Sequence, residues 1–467
     1  MRRNSSPKPS AECAAPLQTR AGLGACLRVA WPLVLAMAAQ AVMMFVDRLF
    51  LARYSAISIQ AAMPAGLVSF IMLAFLQNIV SYSGTFVAQH AGAGNRAACA
   101  RAMGQGVWLS LLCVPLLLLS LPLGNRLFDL AGHAPEVIAE EKTYYLALVL
   151  GSLAIPFVAA LSGFFTGRGH TRLVMAANLI GNLLNILLDP PLIWGFGPLP
   201  ALGIAGAGMA TALSQYVVLA ILAAAVAREQ HFATAQRWRV AFAWKRQALL
   251  QIARFGLPSG SHVLLDVGTF AVFVFLTGRL DALSFAASNI AFTINHLVFA
   301  PLMGIGMAAN ILVGQCMGSR DAASAARAGR NCVFLGWAYL LVCALLILLF
   351  NRPILRLFYP ADAPFALADF LPLGFTLILI FLIWALFDTW NIVLGGALKG
   401  AGDTHFVMGW VCSVAVGAWL PALFWLYLHG FGIVALWLSL LGYVFLAGSG
   451  LLIRFIRGRW KDLRLVP

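Results

Sequence analysis

The chain has 467 residues, of which 62% are hydrophobic and only 10% are charged. Soluble domains carry about a quarter charged residues, so this composition excludes a water-soluble enzyme and a disordered chain. It predicts an integral membrane protein. The formal net charge of +15 would suggest a nucleic-acid partner in a soluble protein, but Lys and Arg also accumulate in the cytoplasmic loops of membrane proteins.

Apolar stretches of about twenty residues, long enough to cross a ~30 Å hydrocarbon layer, recur twelve times. Only helices satisfy their own backbone within such a stretch, so the predicted fold class is an all-α integral membrane protein with twelve transmembrane helices. The predicted spans are 29–50, 60–86, 104–124, 143–165, 173–194, 206–227, 253–276, 287–312, 331–350, 370–396, 405–428 and 431–453.

The basic residues predict the orientation. With the N-terminus inside, 24 of the 31 Lys and Arg lie on or beside inner segments and seven on or beside outer ones. This asymmetry predicts a multi-pass protein of the bacterial inner membrane with both termini in the cytoplasm, and it explains the net charge without nucleic acid. Residues 1–26 lack the apolar stretch of a signal peptide and are expected to form a short cytoplasmic tail.

The two halves of the chain repeat. A shift of 226 positions places Val87-x-Gln89-x-x-Gly92 on Val313-x-Gln315-x-x-Gly318, and a shift of 233 places residues 166–175 on 399–408. A near-constant shift over six spans gives both halves the same orientation, so the repeats are parallel and related by an axis along the membrane normal. Two pseudo-symmetric six-helix lobes are typical of a transporter.

The expected domains follow from this repeat. They are an N-terminal tail (1–26), an N-lobe (27–227), a cytoplasmic connector (228–252), a C-lobe (253–453) and a C-terminal tail (454–467).

Several chemistries are missing from the sequence. It has no GxxxxGK[ST] phosphate loop, no HExxH, no GxSxG and no metal-ligand spacing of Cys and His. We therefore expect neither an enzyme nor a bound cofactor.

Four acids lie within predicted spans, namely Asp47, Asp189, Asp266 and Asp388. Ionisable groups at membrane depth are costly and by default mark ion or substrate pathways. The acids therefore define the candidate sites.

The fifth span carries Asn178, Asn182, Asn185 and Asp189, spaced 4, 3 and 4 on one helical face. Asn185 and Asp189 offer oxygen ligands to a hard cation such as Na⁺. The alternative is a hydrogen-bonded seam between helices.

The acids of the second half share a polar spacing. The two sets are His262, Asp266 and Thr269 on span seven, and Trp384, Asp388 and Asn391 on span ten. Two carboxyls in one lobe could share a proton. The alternative is a buried carboxylate that a partner such as His262 neutralises.

The chain resembles the multidrug and toxic compound extrusion (MATE) family, in its NorM-like bacterial branch, from about residue 27 to 457. The motifs that carry the resemblance are VDRLFLARYS (46–55), FVAQHAGAGN (86–95), FFTGRGHTRLVMAANLIGNLLNILLDPPLIWG (164–195), LGIAGAGMATALSQ (202–215), GLPSGSHVLLDVGTF (256–270) and FDTWNIVLGGALKGAGDT (387–404).

The resemblance implies a central cavity that opens alternately to each side, and efflux of cationic amphiphilic drugs in exchange for Na⁺ or H⁺. It implies an N-lobe cation site at Asp47, Asn185, Asp189 and Thr211. It also implies a C-lobe cation or substrate site around Asp266 and Asp388, with Trp384 and His262 beside them.

Three positions depart from the family pattern. Position 266 is Asp where Glu is common, and Trp384 stands where an aromatic hydroxyl is often found. Arg48 follows Asp47 where a small residue is usual, which raises the question of whether the two side chains pair.

The sequence therefore predicts a secondary active multidrug antiporter, functional as a monomer, that uses Na⁺ or H⁺ as its coupling ion. The alternative is a flippase for lipid-linked oligosaccharides or lipids, which has a related architecture. The four acids within the spans favour a cationic cargo instead.

Overall fold

A computed structural model describes residues 21–197, 200–229, 232, 234–359, 364–463 and 465. Most of the predicted N-terminal tail, parts of the connector and the end of the C-terminal tail lie outside these residues. Within them, twelve helices are long and apolar enough to cross a membrane. They are α1 (Leu23–Tyr54), α2 (Ala56–Gly92), α3 (Arg96–Leu130), α4 (Pro135–Gly167), α5 (Thr171–Ile193), α6 (Ile204–Arg228), α7 (Arg246–Thr277), α8 (Ala282–Gly318), α9 (Ala322–Leu349), α10 (Leu367–Ala401), α11 (Thr404–Leu428) and α12 (Ile433–Arg457).

Three short elements accompany these twelve helices. The segment between α6 and α7 contains the helix Ala235–Ala241, Asn351–Leu357 follows α9, and the 3₁₀ turn Arg459–Asp462 follows α12. The end of the bundle where this segment lies, and where α1 begins and α12 ends, is called the connector end below. The opposite end is called the far end.

The helix starts repeat between the two halves. Ser55 accepts backbone hydrogen bonds at the start of α2, and Asp281, 226 positions later, does so for α8. Asn95 and Asp321 form the corresponding pair for α3 and α9. A side-chain acceptor at this position satisfies N–H groups that the helix itself leaves unpaired. The repeat in sequence thus appears as a repeat in local structure.

Each half forms a six-helix lobe, and the two lobes exchange parts of their first helices. Cys26, Ala30 and Leu33 of α1 pack in the apolar core of the second lobe. Leu249 and Ile252 of α7 pack in the core of the first. As a result, α1 lies against α8 and α7 lies against α2, which is the same contact made twice.

The repeated glutamines join the lobes at the connector end. Gln89 of α2 donates a hydrogen bond to the carbonyl of Gly400 at 2.9 Å. Gln315 of α8 donates to the carbonyl of Gly167 at 2.8 Å. Since Gly167 and Gly400 also correspond in the repeat, the two bonds are pseudo-symmetric copies.

Two glycines allow this close approach. A Cβ at Gly92 would overlap the carbonyl oxygen of Gln315, and a Cβ at Gly318 would overlap that of Gln89. Only glycine therefore fits at these two helix crossings. The four residues Gln89, Gly92, Gln315 and Gly318 are called the Gln–Gly seam.

Further bonds between the lobes lie in the same half of the bundle. Tyr82 donates to the carbonyl of Lys399 at 2.9 Å, Thr85 donates to the Asn310 side chain at 3.0 Å, and Asn331 donates to Ala21 at 2.7 Å. In the described part of the chain, the far-end half has no hydrogen bond between the lobes. The lobes are therefore closed together at the connector end.

Candidate functional site

The N-lobe polar cluster lies in the far-end half and combines α1, α5 and α6. The Asn185 side chain donates to the Thr211 hydroxyl at 3.3 Å, and this hydroxyl donates to the carbonyl of Ala207 at 3.1 Å. Asp189 follows Asn185 by one turn and is fully buried. Asp47 of α1 lies within electrostatic range of Asp189. The structure thus brings together all four residues of the predicted N-lobe site.

Several oxygens of this cluster are buried without a hydrogen-bond donor. They are both carboxyl oxygens of Asp189, Oδ1 of Asp47 and Oδ1 of Asn185. Buried polar atoms are rarely left unpaired, because each lost hydrogen bond costs about 1–3 kcal/mol. A group of acceptors without donors fits a proton or a hard cation such as Na⁺.

The face of α5 serves two purposes. Asn178 bonds back to the carbonyl of Val174 in its own helix at 2.8 Å and takes no part in the cluster. Asn185 uses its N–H group for the bond between helices, as the seam alternative proposes. Asn182 is buried and its Nδ2 has no partner. One hydrogen bond between α5 and α6 therefore forms, as the alternative predicts. In the described part of the chain, the acceptor oxygens of Asn185 and Asp189 still have no donor.

Arg48 does not neutralise its neighbour. It lies within electrostatic range of Asp47, but in the described part of the chain the two side chains form no ion pair. The Arg48 side chain is exposed. The acid of α1 thus remains available to the cluster.

The C-lobe acids each have a donor. The Tyr443 hydroxyl of α12 donates to Oδ1 of Asp266 at 3.3 Å, and Nδ1 of His262 lies 3.3 Å from Oδ2. Asn391 donates to Asp388 at 3.4 Å and also to the carbonyl of Val444 at 3.1 Å.

The two donors meet at adjacent residues of α12, because Tyr443 bonds Asp266 and Asn391 of α10 bonds both Asp388 and the carbonyl of Val444. The two C-lobe acids lie within electrostatic range of each other. Trp390–Leu394, just after Asp388, forms a π-helical turn, a feature that is frequent at functional sites. The structure therefore brings Asp266, His262 and Asp388 into one region.

Trp384 has a different environment from the one its spacing predicts. Its ring packs edge-on against Phe381 and Trp437, at centroid distances of 5.9 Å and 6.2 Å. The indole N–H is buried and donates to neither acid. Trp384 thus belongs to the aromatic core of the C-lobe.

Three residues near the sites escaped the sequence analysis. Tyr144 lies within electrostatic range of both N-lobe acids, and Tyr443 bonds Asp266. Lys399 belongs to α10, which runs to Ala401 and not only to residue 396, and lies within electrostatic range of Asp266. The two tyrosines have no charge that would mark them out in an apolar span. Lys399 lies after residue 396, where the predicted tenth span ends. A heavier weight on tyrosines inside spans would have found the first two.

Comparison with known proteins gives the same architecture. The profile of the MatE family matches residues 32–190 and 258–421. The "Probable multidrug resistance protein NorM" of Bradyrhizobium diazoefficiens is 30% identical over 439 residues, covering 92% of each chain. The protein of the same name from Pseudomonas aeruginosa is 30% identical over 451 residues, covering 95% of this chain and 91% of that one. "Multidrug resistance protein PmpM" of the same organism is 29% identical over 413 residues, covering 87% and 84%.

Solved structures share the fold. A MATE crystal structure in complex with MaD5 superposes with a TM-score of 0.83 at 20% identity and covers 97% of this chain and 98% of that one. A MOP superfamily transporter from Pyrococcus furiosus superposes with a TM-score of 0.81 at 19% identity and covers 97% and 99%. The chain belongs to the MATE family of membrane transport proteins, in its NorM-like branch. The predicted family and fold class are both confirmed.

Proposed function

We propose that this protein is a multidrug efflux antiporter, which exports cationic amphiphilic compounds in exchange for Na⁺ or H⁺. The observation that carries the proposal is Asp189, which is fully buried and has two oxygens without a donor. A carboxylate in that state is stabilised by binding a cation or a proton. The names of the curated relatives support the drug class.

The charge of the candidate sites supports a cationic cargo. Both lobes place acids at membrane depth, and acids attract a cationic cargo. A flippase for anionic lipid-linked sugars would need the opposite charge at its cavity, and four acids outnumber the half-buried Lys399. The cationic cargo is therefore the function we propose.

Alternating access requires that the Gln–Gly seam opens. We assign the connector end to the cytoplasm of the inner membrane, because the basic residues concentrate there. With the seam closed, the cavity faces outward, and cation binding at the acids opposes drug binding. Each ligand shifts the equilibrium only if its affinity differs between the two states. One positive charge moving inward down 100 mV releases about 2.3 kcal/mol for this work.

Reconstitution into proteoliposomes tests the proposal. An imposed Na⁺ or H⁺ gradient should drive uptake of a fluorescent cationic drug by the wild type, and the gradient that drives it identifies the coupling ion. Asp189→Asn should remove this uptake. Asp369→Asn, the same change on an exposed acid at the start of α10, is the matched control. Full gradient-driven uptake by the Asp189 variant would overturn the proposal.

A further inference from the structure

A second buried acid lies in the far-end half of the N-lobe, outside the predicted site. The Glu141 side chain of α4 is 0% exposed. Its Oε1 lies 2.7 Å from Nδ1 of His133, in the loop before α4. Its Oε2 is buried and has no hydrogen bond.

This pair connects the interior with the solution at the far end. The His133 side chain is 39% exposed, and an imidazole can accept a proton at one ring nitrogen while it donates one from the other. A buried carboxylate with one partner is costly unless it shares a proton or charge with that partner. In the described part of the chain, Glu141 has no contact with solvent of its own, and the partly exposed His133 connects it with the solution.

The neighbouring charges are already engaged elsewhere. Glu140 accepts a hydrogen bond from Ser58 at 3.5 Å. Lys142 pairs with Asp129 at 2.6 Å, and both side chains are partly exposed. In the part of the chain that the structure describes, neither of these groups bonds Oε2 of Glu141.

The residues between this glutamate and the predicted cation site belong to α4, α6 and α5. Tyr144 follows the buried glutamate by one turn on the same face of α4 and is itself buried. Its ring packs against Gly208 of α6, since a Cβ there would lie 3.4 Å from the ring. Thr211 comes one turn later on α6 and accepts from Asn185, and Asp189 lies one turn beyond on α5.

We propose that His133 and Glu141 form the proton entrance from the far-end solution to Asp189. This inference rests on the proposed function and takes H⁺ as the coupling ion. A proton binds Nε2 of His133, and the proton on Nδ1 passes to Oε1 of Glu141. His133 is then neutral with its proton on Nε2, and Glu141 carries the transferred proton on Oε1. Rotation of the carboxyl group turns this proton toward the interior, and its release toward the N-lobe acids returns Glu141 to the carboxylate. Both residues carry protons for transport and contact no drug.

Two transport modes separate this role from a structural one. Drug export driven by an H⁺ gradient needs proton exchange with the far side, whereas exchange of labelled drug for unlabelled drug at equal pH does not. Glu141→Gln should slow gradient-driven export about a hundredfold, the lower end of what one positioned acid–base group contributes. The same variant should leave drug exchange unchanged.

Glu140→Gln is the matched control, since it makes the same change one residue away on a side chain that bonds Ser58 and not His133. His133→Gln should slow gradient-driven export as well and flatten its dependence on far-side pH. Thermal unfolding in detergent confirms that each variant is folded.

The outcomes are distinct. Loss of gradient-driven export with exchange retained supports the inference. Equal loss of both modes, with a lower melting temperature and an unchanged pH profile, means that the pair only holds the loop before α4, and overturns it. Export driven by Na⁺ alone, or full activity of the Glu141 variant, overturns it too. If the wild type transports no drug, the proposed function itself fails.

Discussion

The two lobes share one architecture but hold their acids differently. In the N-lobe, Asp189 is fully buried and neither of its oxygens has a donor. In the C-lobe, Tyr443 donates to Asp266 and Asn391 donates to Asp388. The same duplicated scaffold thus carries an unsatisfied carboxyl in one half and satisfied carboxyls in the other.

This difference has an energetic meaning. A carboxylate that already accepts a hydrogen bond gains less from a cation or a proton than one that accepts none. The N-lobe cluster is therefore the stronger candidate for binding the coupling ion. The C-lobe acids, which each accept a hydrogen bond, are better placed to set the charge of the cavity for the cargo.

The largest expected effect compares the two lobes directly. Asp189→Asn should abolish the binding of the coupling ion, whereas Asp388→Asn should retain it and weaken drug binding instead. The physical reason is that, in the described part of the chain, neither oxygen of Asp189 has a donor, whereas Asp388 accepts a hydrogen bond from Asn391. Ion binding and drug binding are both measurable by titration calorimetry on the purified protein. An Asp388 variant that loses the ion while the Asp189 variant keeps it would reverse the assignment.

The second-largest expected effect concerns the Gln–Gly seam, which joins the two lobes. Gly92→Ala inserts a Cβ where the Gln315 carbonyl lies, and such overpacking costs about 1–3 kcal/mol. We expect the closed connector end to be destabilised and gradient-driven transport to fall. Gly66→Ala is the control on the same helix, because no atom lies within 4 Å of a Cβ there. Spin-label distances across the connector end would report the opening, and an unchanged distance would contradict it.

The smallest effect concerns the side chains that cap the helix starts. The capping residues are neutral in the N-lobe (Ser55 and Asn95) and acidic in the C-lobe (Asp281 and Asp321). Hydrogen bonds from Ser324 hold the pKa of Asp321 below its usual range. A lowered pKa in the folded state adds stability that is present above the unfolded pKa of about 3.9 and disappears as the pH falls through the folded value.

Acidification from about pH 5 to about pH 3 should therefore remove part of the stability that the ionised Asp321 contributes. Asp321→Asn copies the residue that caps α3 and should lose this dependence while keeping the cap. Thermal unfolding at the two pH values measures the difference. An equal loss of stability in wild type and variant would show that other groups dominate.

The sequence predicted the fold class because hydropathy alone determines which segments can lie in a bilayer. It also located the acids, since Asp47, Asp189, Asp266 and Asp388 are rare charges in apolar helices. The helix ends were harder to predict from the sequence. Helix α10 continues beyond its apolar stretch to Ala401, because the last turns of a helix need no lipid around them.

The partners of the acids could not be predicted. Whether a carboxyl meets Tyr443 or no donor depends on how α7 and α12 are rotated against each other, and spacing along one helix does not contain this information. The role of Trp384 was obscured for the same reason, since its ring turns toward Phe381 and Trp437. The domain boundaries and the roles of the site residues remain predictions.

The Gln–Gly seam also has a consequence for the origin of the chain. Gln89 and Gly92 face Gln315 and Gly318, their own counterparts in the repeat, so the interface is isologous, as in a twofold homodimer. A half-length protein with this motif would carry both sides of the contact, and parallel insertion would align two copies. Two separate halves of this chain, expressed together, already possess the complementary surfaces needed to reassemble.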